Sequence, residues 1–247
     1  MISLCNSEES VNLALNEVKG TSFIRENIRL YLNSYSTQYE FAQYYLQYSN
    51  ETNEPVAVVL RYNNQIYVLV DERSDIGELS AFLQGFSGCD VVADNLIGDH
   101  FENIKECFVY EINGKKCADM SDNIKVVTSP KEISTLVTKD FDEKSKMDFF
   151  LNTAHQLRHN CISVFGCYAG EKLAAVVSAS LAFNEYSVIT FVYTDEYFRG
   201  NGYAQDLLKA VCTDDSLRYV LLCEEHNNKF YEKCGFKQIS VCSSFDL

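Results

Sequence analysis

Basic charge is what this 247-residue chain has least of. Lys and Arg number 21 against 35 Asp and Glu, a formal net charge of −14. A protein that grips duplex nucleic acid needs Lys and Arg to displace phosphate counterions, so no nucleic-acid partner is expected. Long apolar runs are also missing. Stretches such as Leu173–Val177 fall far short of the ~20 residues that cross a bilayer as a helix, so no membrane partner is expected. Met1–Ser10 has neither a basic segment nor an apolar core, so it does not read as a secretory signal. Proline occurs only twice, and no Gly-, Ser- or Pro-rich linker interrupts the chain. The ten cysteines include no CxxC pair, which excludes a zinc ribbon and a thioredoxin motif. Several, such as Cys161 and Cys223, sit in apolar runs, where a reduced cysteine behaves as a small hydrophobe. Free thiols, no metal and a cytoplasmic location are the expectation.

Three further signatures are absent. The chain has no GxxxxGK[ST] phosphate loop and no GxSxG elbow. A dinucleotide GxGxxG is blocked at Gln205, where the third glycine would stand. His155 and His159 share a helical spacing near Cys161, but three candidate ligands make a poor zinc site. No cysteine stands at a strand-to-helix turn with a basic flank, so a cysteine nucleophile is set aside.

What is there suits an ordinary globular protein: 47% hydrophobic and 23% charged residues. The length allows one large domain or two small ones. The best boundary is the polar stretch Asn113–Asn123, giving domains 1–118 and 119–247. Charge differs between the halves. Residues 1–120 hold 8 Lys and Arg against 18 Asp and Glu; residues 121–247 hold 13 against 17.

Periodicity supplies the elements. Leu13, Leu15 and Val18, then Ile24, Ile28, Tyr31 and Leu32, recur at helical spacing. Tyr39–Tyr48, Pro55–Arg61 and Gln65–Val70 read as strands, the last two around a turn at Asn63-Asn64. Ile76, Leu79, Leu83 and Phe86 form a helical stripe with Asp75 as its cap, and Cys89–Ala93 is a short strand. The second half repeats this order. Ile124–Val127 is a strand, Lys131–Val137 and Met147–His159 are helices, and Cys161–Tyr168, Leu173–Phe183 and Val188–Tyr193 are strands. A helix carries Ala204, Leu207, Leu208 and Val211; Arg218–Cys223 is a strand, Asn227–Lys233 a short helix and Phe236–Val241 the last strand. An α/β (α+β) chain with an internal duplication is predicted.

The stretch that carries chemistry is Val192–Val211. A strand feeds Arg199-Gly200-Asn201-Gly202-Tyr203-Ala204, which opens an amphipathic helix. Two glycines let the backbone take unusual φ and approach a ligand closely. Successive N–H groups entering a helix N-terminus cradle an anion, phosphate above all.

Arg199–Ala204 resembles the R/Q-x-x-G-x-G/A signature of the GNAT superfamily of acyl-CoA-dependent N-acyltransferases. Phe230-Tyr231-Glu232-Lys233-Cys234-Gly235-Phe236 resembles that family's second element, F/L-Y-x-x-x-G-F. The resemblance covers residues 124–247. It implies a mixed, mostly antiparallel central sheet flanked by helices, with acetyl-CoA as co-substrate and no metal. It implies that the amides of Gly200, Asn201, Gly202, Tyr203 and Ala204, with Arg199, hold the pyrophosphate. It further implies that N–H groups near Val192 and Tyr193 polarise the thioester carbonyl, that an amine attacks it directly, and that Tyr231 protonates the departing thiolate. A tyrosine near pKa 10 holds its proton at neutral pH, as that role needs. Many relatives carry a glutamate on the strand before the loop. Here that strand has none, so Glu185 just before it, and Glu225 after the next strand, are the candidate bases. Asn227 is a candidate cofactor contact. The acceptor is expected to be a primary amine of a small molecule or peptide, and the acidic N-terminal half favours a cationic one. Where the first half should hold its own phosphate loop, it has Asp71, Glu72 and Asp75. Those charges repel a pyrophosphate, so a degenerate, non-catalytic GNAT-like N-terminal domain in tandem is expected. The alternative is a non-catalytic acyl-CoA sensor or interaction module. A peptidyl transferase of the two-GNAT-domain kind, using aminoacyl-tRNA, is disfavoured by the acidity.

Overall fold

Capping residues set most helix starts. In the first half the computed structural model has β1 (Ile2–Cys5), α1 (Glu8–Glu17), α2 (Ser22–Tyr35), β2 (Ala42–Tyr48), β3 (Pro55–Tyr62), β4 (Gln65–Val70), α3 (Ile76–Leu83), β5 (Asp90–Asp94) and β6 (Lys105–Asn113). In the second it has β7 (Ile124–Val126), α4 (Pro130–Val137), α5 (Glu143–Arg158), β8 (Ile162–Ala169), β9 (Lys172–Ser180), β10 (Tyr186–Thr194), α6 (Tyr203–Val211), β11 (Arg218–Glu224), α7 (Asn228–Lys233) and β12 (Lys237–Asp246). The structure describes residues 1–116 and 122–247, and of Asp99 the backbone only. The 118/119 boundary read from the sequence lies outside the described residues.

Ser7, Asp75, Ser129 and Asp142 each accept a backbone N–H of the helix they precede, satisfying donors that the helix itself cannot. Asp142 bonds the amides of Lys144 and Ser145, so α5 starts four residues before the predicted Met147. Asn63 (φ 52°) turns the β3–β4 hairpin. Gly170 (φ 65°) turns β8 into β9.

The chain divides into two compact units. The first holds Met1–Tyr110, Leu222–Lys229 and Gln238–Leu247; the second holds Glu111–Leu221 and Phe230–Lys237. Within the first, β1, β2, β3 and β4 pair antiparallel in sequence order and β4 pairs β5 in parallel. Within the second, β7, β8, β9 and β10 pair antiparallel and β10 pairs β11 in parallel. Helix pairs α1–α2 and α4–α5 occupy the same place in the two orders, as do α3 and α6. The duplication expected from the sequence is therefore a duplication of topology.

Two differences from the sequence reading matter. Strands β1 and β6 have no counterpart in it. The last strand does not stop at Val241 but runs to Asp246, and Cys242–Asp246 pair antiparallel with Asp90–Asp94 of β5. The end of the chain thus completes the sheet of the first unit. Phe245 lies in that unit's core with Val68, Val91 and Leu79 and stacks on Phe101 at 4.2 Å.

Candidate functional site

Strand β10 loses its regularity where the site begins. Its parallel pairing with β11 ends at Val188 opposite Val220. On the β9 side the register slips between Ile189 and Phe191, so Thr190 is the extra residue of a β-bulge. A bulge bends and twists its strand and breaks the local ladder. The Thr190 Oγ1 is buried without a hydrogen-bond partner. From Phe191 to Thr194 the strand is bonded to β9 alone, and all four residues are half-buried. Val192 and Tyr193, the predicted donors to a carbonyl, both lie in this opened segment. Here Phe191 meets the Phe149 ring of α5 at 5.4 Å.

The loop that follows is pinned at its start. Asp195 is buried. It accepts Lys139 Nζ at 2.5 Å, Lys172 Nζ at 3.3 Å and the Tyr197 amide at 3.0 Å. The Lys139 hydrogen bond, with those from Tyr197 and Lys172, outweighs burial and lowers its pKa to about 2. The same contact raises Lys139. Lys172 also lies over the Phe198 ring at 5.0 Å. Asp195, Lys139 and Lys172 are not among the residues expected at the site from the sequence. An aspartate directly after an apolar strand was the available signal.

The loop then runs into α6 through two left-handed glycines, Gly200 at φ 81° and Gly202 at φ 84°. A Cβ at Gly200 would meet nothing within 4 Å; it is conformation, not crowding, that calls for glycine there. Gly202 is the N-cap of α6, and no side chain caps that helix. Its first amides are therefore available to an anion at the positive end of the helix dipole. Asn201 folds back onto the carbonyls of Phe198 and Arg199. Arg199 is exposed, donates from Nε to the Thr194 carbonyl at 3.2 Å and makes no ion pair among the described residues. Tyr203 and Ala204 are half-buried in the first turn of α6. The structure thus gathers Val192, Tyr193 and Arg199–Ala204 at one end of β10.

Tyr231 is buried in α7. Phe230 at 5.1 Å and Phe236 at 5.8 Å hold its ring edge-on, and the Phe236 amide donates to its carbonyl at 3.0 Å. Gly235 (φ 94°) makes the tight return. The carboxylates fare differently. Glu185 precedes β10, is exposed and faces Arg218 at 3.6 Å. The nine residues of β10, about 30 Å of extended chain, separate it from the loop, so it is not brought to the site. Glu225 and Asn227 lie in the single 3-10 turn after β11, Glu225 exposed and Asn227 half-buried. Among the described residues no group of three or more His, Cys, Asp or Glu side chains could hold a metal ion.

The corresponding place in the first unit is closed. Strand β4 pairs with β3 without a bulge, and Val68, Leu69 and Val70 are buried. The loop Asp71–Asp75 satisfies itself. Asp71 is buried against the Arg73 guanidinium at 2.7 Å and the Arg73 amide at 2.8 Å. Asp75 caps α3 through the Glu78 amide at 2.9 Å. The helix end that could take an anion is occupied by the chain's own carboxylates.

Residues 160–238, which run from β8 into β12, match the family model of an acetyltransferase (GNAT) domain. That stretch is therefore similar to a GNAT domain over about a third of the chain. No curated protein sequence matches the chain. Solved structures share the fold along nearly its whole length. A tandem GNAT protein from the clavulanic acid biosynthesis pathway superposes with a TM-score of 0.61 at 12% identity, covering 99% of this chain and 97% of that one. An acetyltransferase of the GNAT family from Colwellia psychrerythraea gives 0.60 at 13%, covering 100% and 99%. A Drosophila protein gives 0.67 at 11%, covering 98% and 97%. The fold predicted from the sequence, a mixed and mostly antiparallel sheet flanked by helices and repeated in tandem, is the fold observed. Within the matched residues, the motif Arg199–Ala204 joins bulged β10 to α6, and the motif Phe230–Phe236 spans α7 and its return. No helix among the described residues is long and apolar enough to cross a membrane.

Proposed function

We propose that the GNAT domain moves an acetyl group from acetyl-CoA to a primary amine of a small molecule or peptide. The observation that carries this reading is the opened end of β10 beside an uncapped α6 N-terminus. One element offers strand amides to a carbonyl and the next offers helix amides to a pyrophosphate. The residues fit the co-substrate: two left-handed glycines keep side chains out of the cradle, and Arg199 adds a cation at its lip.

In this reading the amides of Gly200–Ala204 bind the pyrophosphate. Of Val192 and Tyr193, the residue whose N–H points away from β9 donates to the thioester carbonyl oxygen, where negative charge grows as the amine attacks. The C–N bond forms first, giving a tetrahedral intermediate, which collapses as the C–S bond breaks. Tyr231 gives its phenolic proton to the leaving sulfur, the amine releases its own proton to water, and the tyrosinate regains a proton from solvent. The N-terminal unit is non-catalytic, because Asp71 and Asp75 fill the place a pyrophosphate needs. Its acidity favours a cationic acceptor, as a matter of association rather than chemistry.

The test is release of free thiol from acetyl-CoA with a panel of amines, polyamines and basic peptides among them. Turnover with at least one amine is expected. Binding of acetyl-CoA without turnover for any acceptor would instead indicate the sensor reading.

A further inference from the structure

A cavity of about 390 Å³ lies in the second unit, at the end of α6 away from the glycine loop. Leu208 is six residues past the Gly202 cap, roughly 10 Å along the helix axis, so the two places are distinct. Its walls are apolar: Ile112, Leu208, Phe236 and the thiols of Cys212 and Cys234. Burial raises both thiols, so they stay neutral at pH 7 and bring no negative charge. Around these walls stand three ammonium groups, Lys115, Lys116 and Lys209. No carboxylate is among the described lining residues. That is unusual for a chain of net charge −14. Lys116 reaches Asp215 at 3.3 Å and Lys209 reaches Asp206 at 3.4 Å, both between exposed side chains, where such pairs are weak. Lys115 has no ion pair among the described residues.

An apolar chamber whose charged lining residues are all lysines, with only Asn113 as a neutral polar group, selects a molecule with an apolar body and an anionic head. The volume lies in the range of small-molecule sites. We propose that this cavity is a second ligand site, separate from the acyl-transfer site, for an amphipathic carboxylate. The aliphatic body lies against Leu208, Phe236 and the two cysteines, and the carboxylate meets Lys115 and Lys209. The ligand would touch Cys234 and Phe236 on either side of Gly235, where an added Cβ would come within 3.4 Å of Ile112.

Calorimetry with decanoate tests this on the full chain without acetyl-CoA or an acceptor, so the result does not depend on the proposed activity. Saturable binding is expected, unchanged by prior addition of coenzyme A. The Lys115→Ala, Lys209→Ala double variant, altered only at the rim, should bind at least about tenfold more weakly. Decylamine, with the same tail and the opposite charge, should not bind there. Decanoate should slow maleimide labelling of Cys234, located by peptide mass, and leave Cys5 of the first unit unaffected. Absence of saturable binding, equal binding of decylamine, indifference to the double variant, displacement by coenzyme A, or protection of Cys5 equal to that of Cys234 would each overturn the proposal.

Discussion

At the scale of single residues, Tyr231 and Asp195 do different work. Tyr231→Phe keeps the ring that packs between Phe230 and Phe236 and removes the hydroxyl that would supply the proton. Acetyl transfer should fall about 10²- to 10⁴-fold, with acetyl-CoA affinity nearly unchanged; turnover by the variant at the wild-type rate would remove the assignment. Asp195 holds the loop through two lysines and an amide. Its folded pKa of about 2 lies below the ordinary value of about 3.9. A carboxylate with a depressed folded pKa stabilises fully above its unfolded pKa, and that contribution is lost as pH falls through 4 towards 2. Asp195→Asn should therefore cost about 2 kcal/mol at pH 7, and chemical denaturation should show the gap to wild type closing between pH 4 and 2. Single residues were also where the sequence spoke most clearly. Gly200 and Gly202 were legible because few residues other than glycine sit readily at positive φ. The bulge at Thr190 was not, because a one-residue slip in register depends on the partner strand β9 and leaves no mark on β10 itself. Glu185 misled for a related reason: nearness in sequence to β10 put it at the wrong end of a nine-residue strand.

At the scale of elements, the two strand-loop-helix segments show how one topology yields an open site and a closed one. β10, bulged and half-buried at its end, leads to a helix without a side-chain cap. β4, regular and buried, leads to a helix capped by Asp75. The sequence allowed the electrostatic half of this contrast to be read, from Asp71, Glu72 and Asp75. The strand contrast lay in pairing and could not be read. The same limit hid the end of β12. Ser243 and Ser244 break its apolar pattern after Val241, yet the backbone continues its ladder with β5 to Asp246. Because Phe245 fills the core of the first unit, Phe245→Ala should destabilise that unit by about 3–5 kcal/mol. Hydrogen exchange should show the loss in β4 and β5 before β8 and β9. Uniform loss across both sets would contradict the assignment of β12 to the first unit.

At the scale of the whole molecule, a repeated fold need not mean a repeated site. The first half carries the larger share of the negative charge, and its one candidate phosphate loop is filled by its own carboxylates. The second half has nearly balanced charge, as suits the polyanionic co-substrate proposed for it. The tandem was legible in the order of elements, because each half repeats two helices before a three-stranded meander. Its division was not, because the last strand belongs to the first unit, and no local pattern announces a long-range pairing. Calorimetric titration with acetyl-CoA tests the central claim most directly, applied to the wild type and to Gly202→Val. A valine forced to φ 84° is strained by about 1–2 kcal/mol or more and intrudes on the cradle. One site per chain, lost in the variant while thermal unfolding remains cooperative, is the predicted result. Two sites per chain, or one that survives the substitution, would contradict it.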